Sequence, residues 1–116
     1  MKYIKSKPKE EKKVDMRYNK LVRDRIPDII ERSGKIPITH IVNDEEYWVS
    51  LKEKLREEVE EFLESENEEE LADILEVIYA ICDFKHLDKA DLGNLRREKL
   101  RKKGGFKNRI ILDEVK

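Results

Sequence analysis

Two stretches of helical hydrophobic periodicity, separated by only three residues, constrain this chain more than any other feature. Trp48, Leu51, Leu55, Val59 and Phe62 recur at the spacing of one helix face, and Leu71, Ile74, Leu75, Ile78, Ile81 and Cys82 do so again. The break at residues 65–67 is too short to run back along a helix. The second helix must therefore return antiparallel beside the first. Asn43 or Asp44 can cap the first of these two helices, which is predicted to reach Glu64. Asn67, followed three residues later by Glu70, forms a capping-box pattern for the other, predicted to last to His86 and to be the most buried segment.

Two shorter helices complete the expectation. Pro27 suits a first helical turn, so residues 28–32 read as a short helix stopped by Gly34, with an extended connection over residues 35–42. Asp88 caps a last helix that ends in the basic turn Arg101, Lys102, Lys103 and is closed by Gly104. The fold class is all-α: an antiparallel hairpin inside a small bundle of about four helices. The third helix carries apolar residues over more of its circumference than one neighbour can cover, so oligomerisation is expected to complete the bundle. Residues 1–17, rich in Lys and Glu with Pro8, read as a mobile charged tail, and residues 18–116 as a single helical domain.

With 116 residues, 38% hydrophobic and 46% charged, the chain has material for one core and sits at the polar edge of globular proteins. No window of 18 apolar residues exists and the N-terminus lacks an apolar signal region, which argues against membrane spanning and secretion and predicts a cytoplasmic location. One cysteine, Cys82, excludes an internal disulfide and a cysteine zinc site, and His40 and His86 are too few for a histidine one. Any metal would be held by oxygen. Cys82, His40, His86, Tyr47 and Trp48 read best as packing or surface residues.

The net charge of -1 conceals a segregation. Residues 1–25 hold ten Lys/Arg against four Asp/Glu, residues 43–76 hold three against fifteen, and residues 96–109 hold eight against one. Surface ion pairs between the basic arms and the acidic middle are one account of this pattern. The other is that the carboxylates gather cations while the arms gather an anion such as a polyphosphate.

On a wheel of 100° per residue with Leu51 at zero, the apolar face of the second helix covers about 20° to 80°, Glu58 lies at about -20° and Glu61 at about -80°. Glu57 and Glu60 point away. On the third helix Glu70 and Asp73 also border apolar positions. Glu61 and Glu70 each lie roughly one turn from the break, and Glu58 and Asp73 roughly two, so the hairpin can gather all four. Four like charges at a core edge repel one another and must be neutralised by protons, cationic side chains or a divalent metal. Mg²⁺, which favours carboxylate oxygens, suits the set, with Mn²⁺ as a substitute. Purely structural roles are open for the same residues: Glu70 in a capping box, Glu58 or Glu61 paired with Lys54 or a basic arm. Lys20, Arg23, Lys54, Lys103 and Arg109 are candidate phosphate contacts, the last two beside Gly104 and Gly105.

EEVEEF at residues 57–62, followed by EELADILEVI at residues 69–78, resembles the ExxE and ExxD signature of the all-α nucleoside triphosphate pyrophosphohydrolases, the MazG-like superfamily. YNKLVRDRIPDII at residues 18–30 and KKGGF at residues 102–106 further resemble its short subgroup, which opens with a KLVRDxIP-like segment and closes with Gly-Gly-Phe. The resemblance implies Glu58, Glu61, Glu70 and Asp73 as metal ligands, with Glu57 and Glu76 as neighbouring alternatives for a ligand or for the base that activates water. It also implies Mg²⁺-dependent hydrolysis of a nucleoside triphosphate to the monophosphate and pyrophosphate, in a homodimer or homotetramer with a house-cleaning role. The alternative from another class is a non-catalytic helical interaction module, binding nucleic acid through its basic arms. The acidic middle opposes that alternative, and no specific nucleic-acid partner is expected.

Overall fold

The computed structural model describes residues 19–116. They form four α-helices and, among the described residues, no strand: α1 (Ile26–Arg32), α2 (Asp44–Ser65), α3 (Glu68–Phe84) and α4 (Lys89–Lys103). The all-α expectation holds. The tail expected over residues 1–17 lies outside the described residues. The chain divides into two compact units, one ending at Val77 and the other running from Ile78 to Lys116, so the boundary falls within α3. No helix among the described residues is long and apolar enough to cross a membrane.

Local chemistry explains the helix ends. Asn43 caps α2 by accepting the Glu46 N–H at 2.9 Å, and Asp44, Glu45 and Glu46 fill the first turn, where negative charge meets the positive end of the helix. Helix α2 stops at Glu66, which takes a left-handed conformation (φ 55°) while its N–H bonds to the Phe62 carbonyl. Left-handed backbone is uncommon for Glu, which has no short side chain to bond locally, and it ends the helix abruptly. Ser65 stays helical, so the break is only two residues, one fewer than the spacing suggested. Asn67 starts α3 by accepting the Glu69 N–H at 3.0 Å. Helix α3 ends at Phe84, two residues short of the predicted end, and His86 follows in a left-handed conformation (φ 58°).

In the first unit the buried positions fall on one seam of each hairpin helix. Leu51 and Glu58, seven residues apart, are 1% and 3% exposed; Glu70 and Val77, also seven apart, are 0% and 8% exposed. Seven residues are nearly two turns, so each pair lies in one line along its helix. Each seam runs from an apolar residue far from the turn to a carboxylate near it. Leu71 and Leu75 retain about half their surface, 50% and 45%, although the apolar pattern put them on the core face. The buried face of α3 passes instead through Glu70 and Val77. In the second unit Cys82 is buried, while α4 buries none of its residues. Gly104 ends α4 at φ 82°, where its N–H bonds to the Leu100 carbonyl.

Candidate functional site

The carboxylates predicted to converge largely do. Glu58 from α2 and Glu70 and Asp73 from α3 each present an oxygen within 4.8 Å of the others. Glu58 lies eight residues before the two-residue break and Asp73 six after it, so only an antiparallel return of α3 along α2 allows this approach. Glu61 stands outside that set of three, although both of its carboxylate oxygens are shielded from solvent. Glu76 is exposed on α3 and lies outside that set of three.

Glu70 does not serve as a capping-box residue. In that motif its side chain would accept the Asn67 N–H, but this N–H donates to the Ser65 hydroxyl at 3.1 Å. The Ser65 hydroxyl in turn donates to Glu70 Oε2 at 3.5 Å, and the carboxylate is turned into the seam. A second acidic residue from the opposite helix therefore meets it in a site closed to bulk water. At an effective dielectric near 20, two unit charges 4.8 Å apart would repel by about 3 kcal/mol, a cost that nearby positive charge offsets.

Among the described residues, three basic side chains contribute to this charge. Lys54, 10% exposed, lies 3.3 Å from both Glu58 Oε2 and Glu57 Oε1, one helical turn away on the same face of α2. Its ammonium is directed at these two carboxylates. The other two come from the segment before α1. Lys20 Nζ bonds Glu57 Oε2 at 2.8 Å, and Arg23 Nη2 bonds Asp73 Oδ1 at 2.7 Å. Asn19 turns the chain in a left-handed conformation (φ 44°), and the Arg23 carbonyl accepts the Ile26 N–H at 3.0 Å, which ties this segment to the start of α1. One short stretch thus touches both helices of the hairpin. Sequence reasoning named Lys54 as a partner for Glu58 and allowed pairing between the acidic middle and the basic arms, but did not select Lys20 for Glu57 or Arg23 for Asp73. The signal for them is the i, i+3 spacing of Lys20 and Arg23 on either side of the apolar pair Leu21 and Val22.

Burial pushes the Glu57 carboxyl up, but the Lys20 hydrogen bond, the nearby charges of Lys54 and Lys20 and the Lys54 hydrogen bond outweigh it and hold the group below its ordinary range. Of the remaining phosphate-contact candidates, Lys103 and Arg109 belong to the second unit, where both are exposed, and Arg109 adopts a left-handed conformation (φ 58°).

The donor set suits a hard divalent cation. It offers three carboxylate oxygens from two helices, two of them from side chains withdrawn almost entirely from water, and no nitrogen or sulfur ligand. No protein-family model matches the chain, and no solved structure matches it. It is similar to a protein of Mycolicibacterium smegmatis described as uncharacterized, with 54% identity over 41 residues, covering 35% of this chain and 42% of that protein. The matched region is therefore well under half of that relative's length.

Proposed function

We propose that the chain is a Mg²⁺-dependent nucleoside triphosphate pyrophosphohydrolase of the MazG-like kind, acting in the cytoplasm as a homodimer or homotetramer, with Mn²⁺ able to replace Mg²⁺. The observation that carries this reading is the approach of Glu58, Glu70 and Asp73 within 4.8 Å across an antiparallel hairpin. These three residues would hold the cation, with Glu61 beside them. When bound, such an ion offsets polyphosphate charge and lowers the pKa of a water molecule. The reaction breaks the anhydride bond between the α and β phosphorus atoms; water adds its oxygen to one product, and nucleoside monophosphate and pyrophosphate leave.

The protein's own residues divide the remaining work. Glu57, with Glu76, is a candidate for the base that activates water. It also fixes Lys20 and Lys54, and through Lys54 orients Glu58. Arg23, 55% exposed at its side chain, is the cation best able to reach an incoming phosphate. Leu71 and Leu75, half-exposed beside the seam, are the surface a second copy would cover. Pyrophosphate release from a panel of ribo- and deoxyribonucleoside triphosphates, with Mg²⁺ and again with EDTA, tests the proposal. Release from at least one nucleotide, abolished by EDTA, is the expected result.

A second reading, a polyanion-binding helical module, is favoured by one observation: α4 buries no residue, and residues 96–109, all exposed, are strongly basic. Of the few apolar side chains of α4, Leu95 and Leu100 keep about half their surface, so packing alone gives this helix little. No hydrolysis of any nucleotide, together with salt-sensitive binding to single- or double-stranded DNA, would favour that reading.

A further inference from the structure

The two ends of the basic segment before α1 differ. At one end Lys20 and Glu57 are 17% and 20% exposed, and Glu57 is held a second time by Lys54 at 3.3 Å. At the other end Arg23 is 55% exposed and reaches Asp73, 14% exposed, through one nitrogen and one oxygen 2.7 Å apart. A pair buried on both sides is expensive to separate, because each charge would be stranded away from water. A pair with one half in solvent is cheap to separate, because water takes over the freed guanidinium. Asp73 also belongs to the carboxylate set shared with Glu58 and Glu70, so Arg23 and any cation bound there compete for the same group.

We propose that Arg23 is a positioning residue that occupies Asp73 in the metal-free protein and yields it when a divalent cation binds, while Lys20 stays on Glu57 throughout. The inference rests on the reading of Glu58, Glu70 and Asp73 as a divalent-cation site. It assigns the segment before α1 two functions: a permanent anchor at Lys20 and an exchangeable arm at Arg23. In the exchange no covalent bond changes; one ion pair is replaced by coordination, and the guanidinium moves into solvent at the mouth of the site. The turn that bonds the Arg23 carbonyl to the Ile26 N–H keeps the residue's backbone at α1 while its side chain lets go.

The test is Mn²⁺ and Mg²⁺ binding to the full chain by titration calorimetry, without nucleotide, for the wild type, Arg23→Gln and Arg25→Gln. Arg25 carries the same charge two residues away and is exposed at the entrance to α1. Removing the competing arm should tighten binding about two- to fivefold, the range that an exposed ion pair allows. Arg25→Gln should change it less than about 1.5-fold, since a distant exposed charge is screened by salt. Side-chain nitrogen resonances provide the second readout: with Mg²⁺ the Arg23 signal should move with the same midpoint as the calorimetry, while the Lys20 ammonium signal stays in place. If the wild type binds Mn²⁺ and Arg23→Gln binds it equally or more weakly, the exchange is overturned and the cation site stands. Equal tightening by Arg23→Gln and Arg25→Gln would also overturn it, because net charge alone would then be responsible. If neither the wild type nor Arg23→Gln binds either cation, the cation site is overturned and the exchange with it.

Discussion

Glu58 and Glu60 stand two residues apart on α2, yet one is 3% exposed and the other lies open to solvent. The same contrast repeats on α3, where Glu70 is fully buried and Glu69, its neighbour, is exposed. The hairpin therefore carries two acidic populations of the same chemistry: a seam of carboxylates facing the opposite helix, and a rim facing water. The rim keeps the surface charged at little energetic cost, since exposed charges retain their hydration. The seam brings carboxylates together where water is excluded, and Lys54 and Arg23 pair with two of them. Direction along each helix, more than the density of acidic residues, separates the two populations.

The most severe way to break the contrast is to remove a seam charge. Glu58→Gln and Glu70→Gln should each lower Mg²⁺-dependent pyrophosphate release by at least about 100-fold, because losing a direct ligand should cost no less than losing an outer partner of one. Initial rates at saturating nucleotide measure this. Retention of activity within a few-fold would mean that the seam is not the site.

Asp73→Asn should come next and separates metal binding from folding. It relieves repulsion in the carboxylate set but loses the Arg23 ion pair, and these changes oppose each other. The metal-free thermal midpoint should move by no more than about 4 to 8 °C, the shift that about 1 kcal/mol produces in a domain of this size. The Mg²⁺-induced rise of that midpoint should be largely lost. Melting curves with and without Mg²⁺ give both quantities.

A smaller effect is expected from pH. Glu57 is held below its ordinary value of 4.5, so the stability it contributes is complete above that value and is lost as the pH falls through its folded-state value. Lys20→Met removes the leading cause of the depression and should flatten the loss of stability below pH 4.5, while lowering stability at neutral pH. Denaturant midpoints collected from neutral to acidic pH show whether the two curves converge in acid. Parallel curves would mean that the Lys20 pair does not control Glu57. The smallest effect belongs to the rim: Glu60→Gln should change stability by less than about 0.5 kcal/mol and leave hydrolysis and the Mg²⁺ shift nearly intact.

The helices were legible because their causes are local. Apolar spacing, the Asn43 cap and the Asn67 start each depend on residues within about a turn of one another, and Asn43 and Asn67 make the bonds their types suggest. Less legible was the exact face of α3 that turns inward. The apolar count pointed to Leu71 and Leu75, yet these remain half-exposed while Glu70 is buried, because the short break sets the rotation of α3 against α2. Wheel angle and height above the turn both group Glu61 with the other three carboxylates, but neither fixes lateral distance across the hairpin, and Glu61 stands outside the group within 4.8 Å.

From sequence alone follow the all-α class, the antiparallel return of α3 and a set of four carboxylates able to meet, Glu58, Glu61, Glu70 and Asp73, because helical period and a short connection limit the geometry; the structure brings three of them, without Glu61, within 4.8 Å. Lys54, one turn from Glu58, was within reach of the same local rule, but only the tertiary structure decided which distant cations come in. Lys20 lies 37 residues from Glu57 and Arg23 lies 50 from Asp73 along the chain, and no local rule links positions so far apart. Such pairs exist because backbone turns at Asn19 and Arg23 carry the segment across both helices, and because buried negative charge favours whichever cation the fold brings within reach.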